Sequence, residues 1–119
     1  MADKTNDAKA QSKQPENAAV EAAATVDKAF FKRADQHIDI ANQQMTGDIN
    51  SGKVSASMMF ATARFNSWIT AANSGSVIQM LDSKDDAIKY FVNEYKTMLE
   101  QNMDEYCENY DKYMGKERD

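Results

Sequence analysis

Residues 54–81 read VSASMMFATARFNSWITAANSGSVIQML, and they contain a single charged side chain, Arg64, in a chain that is 28% charged. Apolar residues recur at helical spacing on one side of this segment: Val54, Met58, Ala61, Phe65, Trp68, Ile69 and Ala72. The other side carries small residues and Phe60, where a surface helix would carry glutamate and lysine. A helix that is apolar or small on all sides is normally buried on more than one side. The segment therefore predicts a helix from about Val54 to Asn73 in the middle of a helical bundle.

The same run is too interrupted to cross a membrane. A transmembrane helix needs about 20 predominantly apolar residues, whereas Arg64, Asn66 and Asn73 break this run and Gly75 ends it. We therefore expect a globular protein with no membrane partner.

Arg64 is the charged exception in this helix. An unpaired buried ion is very costly, but an arginine at the boundary between two faces can bury its stem and still reach a carboxylate. We predict an ion pair that fixes the helix register, with three candidate acids: Asp35 and Asp39 of the first helix and Glu94 of the third. The alternative is a site for an anionic ligand between the first two helices. Its proposed residues are Arg64, Asp35, Asn42 and Asn66.

Helices are predicted on both sides of the central one. The first runs from about Asp27 to Met45, and its apolar stripe is Phe30, Ala34, His37, Ile38, Ala41 and Met45. The loop TGDINSGK (46–53) separates it from the second helix, whose candidate N-cap is Ser55. Residues 73–83 form a connection. The sequence Ser83-Lys84-Asp85-Asp86 has the capping-box form and marks the start of a third helix.

The third helix is predicted to continue to about Tyr113 and to be roughly 45 Å long. Its apolar stripe is Ile88, Phe91, Val92, Tyr95, Leu99, Asn102, Tyr106 and Tyr110. An acidic row on the same helix is Glu100, Asp104, Glu108 and Asp111. We interpret that row as a solvated face, because side chains on one convex helix face rarely converge on a cation.

The aromatic residues define the folding unit. All eleven lie between Phe30 and Tyr113, which predicts a helical bundle domain at residues 27–113. Residues 1–26 indicate a disordered or frayed helical tail, and residues 114–119 a C-terminal tail. The predicted fold is all-α: a three-helix antiparallel bundle, or coiled coil, with a long C-terminal helix and a disordered N-terminal tail.

Charge and cysteine content exclude several classes of protein. The net charge is −5, and residues 84–119 hold six basic and ten acidic side chains. Nucleic-acid binding depends on a basic surface, so no nucleic-acid partner is expected. Cys107 is the only cysteine, which excludes a disulfide framework and a zinc cluster. The N-terminus lacks the apolar core of a signal peptide, and a cytoplasmic location is expected.

Catalytic chemistry has little support in the sequence. His37 is the only histidine, and it lies on the apolar side of the first helix, which favours a packed core residue over a catalytic base. There is no nucleophile–base pair, glycine-rich phosphate loop or metal-ligand spacing. We expect no catalytic residue, no metal and no cofactor.

A protein-interaction role fits the remaining features. Met59 and Phe60 point away from the main stripe of the second helix, although packing inside the bundle would also explain them. With Tyr106, Tyr110 and Tyr113 they form a candidate interaction surface. The favoured interpretation is a non-enzymatic interaction module with a protein partner or a homodimer. The alternative is a small-ligand binder or minor enzyme centred on Arg64.

Three segments carry a family resemblance: FFKRADQHIDIANQQ (30–44), VSASMMFATARFNSWI (54–69) and KDDAIKYFVNEYKTMLEQNMDEY (84–106). They resemble a family of short bacterial proteins, chiefly proteobacterial, that is defined as a domain of unknown function. The most distinctive pieces are Arg33-Ala34-Asp35, Asn42, Ser55-Ala56-Ser57-Met58 and Arg64-Phe65-Asn66. The resemblance covers nearly all of residues 28–110. It implies a compact bacterial cytosolic unit and brings no activity, cofactor or partner.

Overall fold

The computed structural model describes residues 27–115, and these are helical almost throughout. The helices are α1 (Phe30–Gln44), α2 (Ser51–Ala72), α3 (Val77–Glu108) and the short α4 (Tyr110–Met114), and no strand occurs within residues 27–115. The predicted all-α class, with three main helices and a long C-terminal one, is confirmed. At 32 residues α3 is about 48 Å long. The tail predicted at residues 1–26 lies outside the described residues. Of the C-terminal tail predicted at residues 114–119, Met114 belongs to α4 and Gly115 ends it, and residues 116–119 lie outside the described residues.

The contacts divide the described chain into two units. One unit comprises residues 32–91 and therefore contains all of α2, most of α1 and the start of α3. The other comprises residues 27–31 and 92–115, which include the C-terminal half of α3 and all of α4. Each surface discussed below lies within one of these units.

α2 begins earlier than predicted, because a different residue caps it. Asn50 has an extended backbone conformation, and its side-chain oxygen accepts a hydrogen bond from the Lys53 N–H at 3.0 Å. That bond satisfies one of the amide groups that a helix N-terminus leaves unpaired. The predicted cap, Ser55, lies inside the first turns of α2 instead.

α3 also begins earlier, at Val77, and the capping box predicted at Ser83 is wrong. Ser76 fills the capping position, since its hydroxyl accepts a hydrogen bond from the Gln79 N–H at 3.2 Å. The Gln79 side chain reaches back and accepts from the Gly75 N–H at 2.6 Å. Ser76 and Gln79 thus form a variant of the capping box, in which Gln79 accepts from the residue before the cap rather than from the cap itself. The Ser83 hydroxyl instead donates to the Met80 carbonyl, within the helix.

The end of α3 is marked by Asn109, which separates it from α4. Asn109 departs from helical geometry, with φ −121° and ψ 34°, and its side chain donates to the Glu105 carbonyl. α4 ends at Gly115, whose φ of +65° is the left-handed conformation that glycine adopts without a steric penalty. The helix that was predicted to continue to Tyr113 is therefore interrupted four residues before that point.

Most side chains of α2 are exposed, so the prediction that this helix is enclosed on two sides is wrong for the described chain. Within residues 27–115 the buried hydrophobic residue is Val54, which is 5% exposed. Ile69 and Thr70, on the side of α2 that faces α3, are half-buried. Phe65 and Trp68, predicted to be core residues, are largely exposed. The apolar residues of α2 follow helical spacing, but most of their side chains remain exposed in residues 27–115.

α1 follows its predicted stripe in part. Phe30, Ala34 and Ala41 are half-buried, as helical spacing requires for one face. Phe30 also makes an edge-to-face contact with Phe31, with ring centroids 4.9 Å apart. His37 is exposed, which corrects its prediction as a packed core residue.

Within residues 27–115 no helix is both long and apolar enough to cross a lipid bilayer.

Candidate interaction surfaces

The first surface lies on α2 and consists of Phe60, Arg64, Phe65 and Trp68; we name it the α2 patch. Phe60, Arg64 and Trp68 are four residues apart in turn, so they form one row along the helix. Phe65 lies beside that row and stacks on Trp68, with ring centroids 5.8 Å apart. The three aromatic side chains are 61–67% exposed. The patch therefore combines large apolar area with one cation in its centre.

Arg64 does not form the predicted ion pair. Its side chain is exposed, and within the unit of residues 32–91 it pairs with neither Asp35 nor Asp39. The third candidate, Glu94, belongs to the other unit. An ion pair does occur between Lys96 and Glu100, at 3.4 Å, but it lies along α3 and is solvent-exposed. The guanidinium is consequently accessible from solvent rather than neutralised inside the fold.

The other three residues of the predicted anion site make no hydrogen bond with Arg64 within residues 27–115. Asp35 is half-buried on α1, Asn42 is exposed near the end of the same helix, and Asn66 is half-buried on α2. The backbone carbonyl of Asn66 accepts from the Thr70 hydroxyl at 3.0 Å. These residues therefore share the unit of residues 32–91 without forming one hydrogen-bonded cluster.

A shallow cleft of about 390 Å³ lies between the end of α2 and the start of α3. Thr70, Ser74 and Ser83 contribute hydroxyl groups to its wall. Each hydroxyl already donates to a carbonyl of its own helix segment, at 2.8–3.3 Å. None of the four residues predicted for the anion site lines this cleft. These three hydroxyls are therefore already engaged, and the side chains of Asn73, Asp86 and Tyr90 are the remaining polar groups of the lining.

The second surface runs along α3 in the unit that contains residues 92–115; we name it the α3 stripe. It consists of Val92, Tyr95, Leu99, Met103, Tyr106 and Tyr110. These side chains are 38–62% exposed, although helical spacing places them on one face. The half-buried residues of the same helix segment, such as Glu94, Met98 and Gln101, lie on another face. Residues 27–115 thus leave uncovered most of the apolar face that the sequence predicted to be packed.

The tyrosines at the end of this stripe are held by contacts with α4. The rings of Tyr106 and Tyr113 stack with centroids 4.6 Å apart. The Tyr113 hydroxyl donates to the Glu105 carboxylate, and the Lys112 ammonium lies 5.7 Å from the centre of the Tyr113 ring. Tyr110 is half exposed. Two of the three predicted surface tyrosines therefore belong to an ordered cluster.

Met59 is 54% exposed on α2 and, like Phe60, is accessible from solvent in the described chain. Phe65 and Trp68 were not predicted as surface residues, because their spacing placed them in the packed stripe of α2. Met103, which lies next to the predicted stripe position Asn102, was not predicted either. The Asn102 side chain donates instead to the Met98 carbonyl at 2.7 Å.

Groups that could support metal or thiol chemistry are dispersed in the part of the chain that the structure describes. No three His, Cys, Asp or Glu side chains converge there as a metal site. Cys107 is a free, exposed thiol on α3.

Comparisons with known proteins agree with this architecture and bring no activity. The chain resembles an NMR structure of the protein NB7890A from Shewanella sp, with 40% sequence identity and a TM-score of 0.64. The match covers 76% of this chain and 95% of that one. No curated protein matches the sequence. The family model described as "Protein of unknown function (DUF3144)" matches residues 30–107. The chain therefore belongs to the DUF3144 family.

Proposed function

We propose that this protein is a non-enzymatic, cytoplasmic protein-interaction module, and that its α2 patch binds an amphipathic helix with acidic residues on a partner protein. The observation that carries the proposal is the exposure of Phe60 and Trp68 on either side of an unpaired cation, with Phe65 stacked on Trp68. Contiguous exposed apolar patches mark binding sites. Aromatic residues, tryptophan above all, and arginine are enriched at the energetic centres of protein interfaces.

Charge supports the acidic character of the partner. α2 contains Lys53 and Arg64 and has no acidic side chain. A carboxylate on the partner would reach Arg64 between two aromatic side chains, where displaced water strengthens a charge-assisted hydrogen bond. Nucleic acid is a poor candidate for the partner. The two cations of α2 would neutralise few phosphates, and the whole chain has a net charge of −5.

A site-specific photo-cross-linker tests this proposal. The photoreactive residue replaces Phe60 in one variant and, as a matched control, the similarly exposed Ile40 of α1 in another. In cells that produce the protein, we expect a discrete adduct from position 60 and none of the same mass from position 40. Adding Arg64→Glu should abolish that adduct, whereas Arg64→Lys should preserve most of it. Identical adducts from both positions, or none from position 60, would contradict the proposal.

Trp68 gives a second measurement, because it is the only tryptophan in the chain. Binding of a purified partner helix should shift its fluorescence to shorter wavelength as its exposed ring is covered. A partner that binds without changing this emission would occupy another surface.

The alternative, a small-ligand site at Arg64, makes a different prediction. Phosphate or a dicarboxylate should then raise the melting temperature of the wild type and have no effect on Arg64→Met. The exposed position of Arg64, which makes no hydrogen bond or ion pair with Asp35, Asn42 or Asn66, favours the interaction module.

A further inference from the structure

The α3 stripe has a symmetric spacing. Along the helix, Val92, Tyr95, Leu99, Met103 and Tyr106 are separated by three, four, four and three residues. The pattern reads the same from either end, with Leu99 at its centre. Its ends lie 14 residues apart, or about four helical turns, on one face of the helix. A surface with this spacing is complementary to a second copy of itself when the two helices run in opposite directions.

We infer that two copies of this chain associate through the α3 stripe as an antiparallel helix pair, with the two-fold axis at Leu99. The inference rests on the proposed function, since it specifies one partner of an interaction module. The pairing places Val92 against Tyr106 of the second copy and Tyr95 against Met103 of the second copy. Leu99 then meets its own counterpart on the axis.

Side-chain size favours the antiparallel arrangement. It sets the small Val92 opposite the large Tyr106, and it sets Tyr95 opposite the unbranched, adaptable Met103. Interdigitating large and small side chains fills space at the density of a protein interior. A parallel pair would instead place tyrosine against tyrosine and valine against valine. The paired tyrosines would be crowded, and the paired valines would leave a void.

The surface is also prepared for binding. The Tyr106 ring is already held against Tyr113, so covering it costs little conformational freedom. Asn102, at the edge of the stripe, already donates one side-chain N–H to the Met98 carbonyl. That N–H keeps its partner when this edge is covered.

The area is sufficient for a stable dimer. An aromatic side chain buries roughly 150–250 Å², and the three tyrosines of the stripe are about half exposed. Together with Val92, Leu99 and Met103, they offer about 450 Å² of apolar surface per chain, counting roughly 60–120 Å² for each fully buried aliphatic side chain. Because apolar atoms form about 60% of an interface, the pair would bury about 1,500 Å² in total. Specific interfaces of standard size bury about 1,600 Å².

Charge gives the same orientation. Residues 100–111 contain five acidic side chains and no basic one, whereas Glu94 and Lys96 cancel within residues 92–98. A parallel pair would align the two acidic halves. The antiparallel pair places each acidic half beside a neutral half, which lowers the repulsion between the chains.

The first test is the mass of the full chain by sedimentation equilibrium. We expect a dimer, and we expect Leu99→Arg to weaken it by about 100-fold or more, because it would bury two unpaired like charges on the axis. Met103→Glu provides a second variant at a more exposed position, in case Leu99→Arg fails to fold by circular dichroism. Ile40→Glu on α1 is the control, and it should leave the dissociation constant unchanged.

The second test measures orientation with a nitroxide on Cys107, which is exposed and is the only cysteine. Cys107 lies eight residues from Leu99, so the antiparallel pair separates the two labelled positions by about 25 Å. A parallel pair would bring them within about 10 Å. A double electron–electron resonance distance near 25 Å supports the inference, and a short distance contradicts it.

The outcomes separate this inference from the proposed function. A monomer at all concentrations would overturn the dimer and leave the cross-linking result at position 60 unaffected. A dimer that is dissociated by Arg64→Glu and not by Leu99→Arg would also overturn it, because the second copy would then occupy the α2 patch. If Arg64→Glu abolishes the cross-linked adduct at position 60 and the protein remains a dimer, that result supports both proposals.

Discussion

Replacing Phe60 with alanine should change the stability of this protein very little. Phe60 is 67% exposed, so about one third of its side chain is covered. Full burial of a phenylalanine contributes roughly 1.5–3 kcal/mol, and one third of that is about 0.5–1 kcal/mol. Alanine regains about 0.5 kcal/mol through its higher helix propensity. The net loss in the free energy of unfolding should therefore lie below about 0.5 kcal/mol.

Val54→Ala is the matched substitution, because Val54 is 5% exposed and lies on the same helix. It removes two buried carbons, worth about 0.8 kcal/mol each, and leaves a small cavity. After the gain in helix propensity, we expect a loss of about 1.5 kcal/mol. The smaller side chain should thus prove the more costly one to truncate.

Urea unfolding followed by circular dichroism measures both values. If α2 were enclosed on two sides, as its composition predicts, Phe60→Ala would cost roughly 3–5 kcal/mol, the usual loss for a buried phenylalanine. A measured loss in that range, or one larger than that of Val54→Ala, would refute the exposure of this face of α2.

Three further substitutions have definite expected outcomes. Asn50→Ala should lower the free energy of unfolding by about 1 kcal/mol by removing the α2 cap, while Ser55→Ala should not lower it; urea titration distinguishes the two. Arg64→Met should change that free energy by less than about 0.5 kcal/mol, because the side chain is exposed and is not paired with the acids predicted for it. A larger loss would instead support the predicted structural ion pair. Gly115→Ala should cost about 1 kcal/mol at the positive φ that ends α4, and should accelerate amide exchange in Tyr110–Met114 without affecting α2.

The helices were predictable from the sequence, but their starting points were less so. Two segments compete for the start of α3: Ser76-Val77-Ile78-Gln79 and Ser83-Lys84-Asp85-Asp86, and both have the spacing of a capping box. The earlier one is used, because it brings the apolar residues 77–81 into a continuous helix and adds backbone hydrogen bonds to it. Local capping signals alone do not rank two such candidates.

The exposure of α2 and of the α3 stripe could not be predicted from the spacing of apolar residues. Helical spacing identifies which face of a helix is apolar, and Tyr95 and Leu99 were correctly assigned to one face. It does not show whether the chain provides something to cover that face. α1 has 15 residues and α2 has 22, so α1 is too short to cover α2 along its whole length.

The two exposed surfaces differ in a way that assigns them different partners. The α2 patch is symmetric about Arg64, with Phe60 and Trp68 four residues to either side. A second copy centred on that patch would bring two guanidinium groups together with no acidic residue on either α2 to neutralise them, and close like charges at an interface are costly. The α3 stripe has leucine at its own centre of symmetry. We therefore expect self-association through α3 and not through α2, and we expect the α2 patch to bind a different, acidic protein.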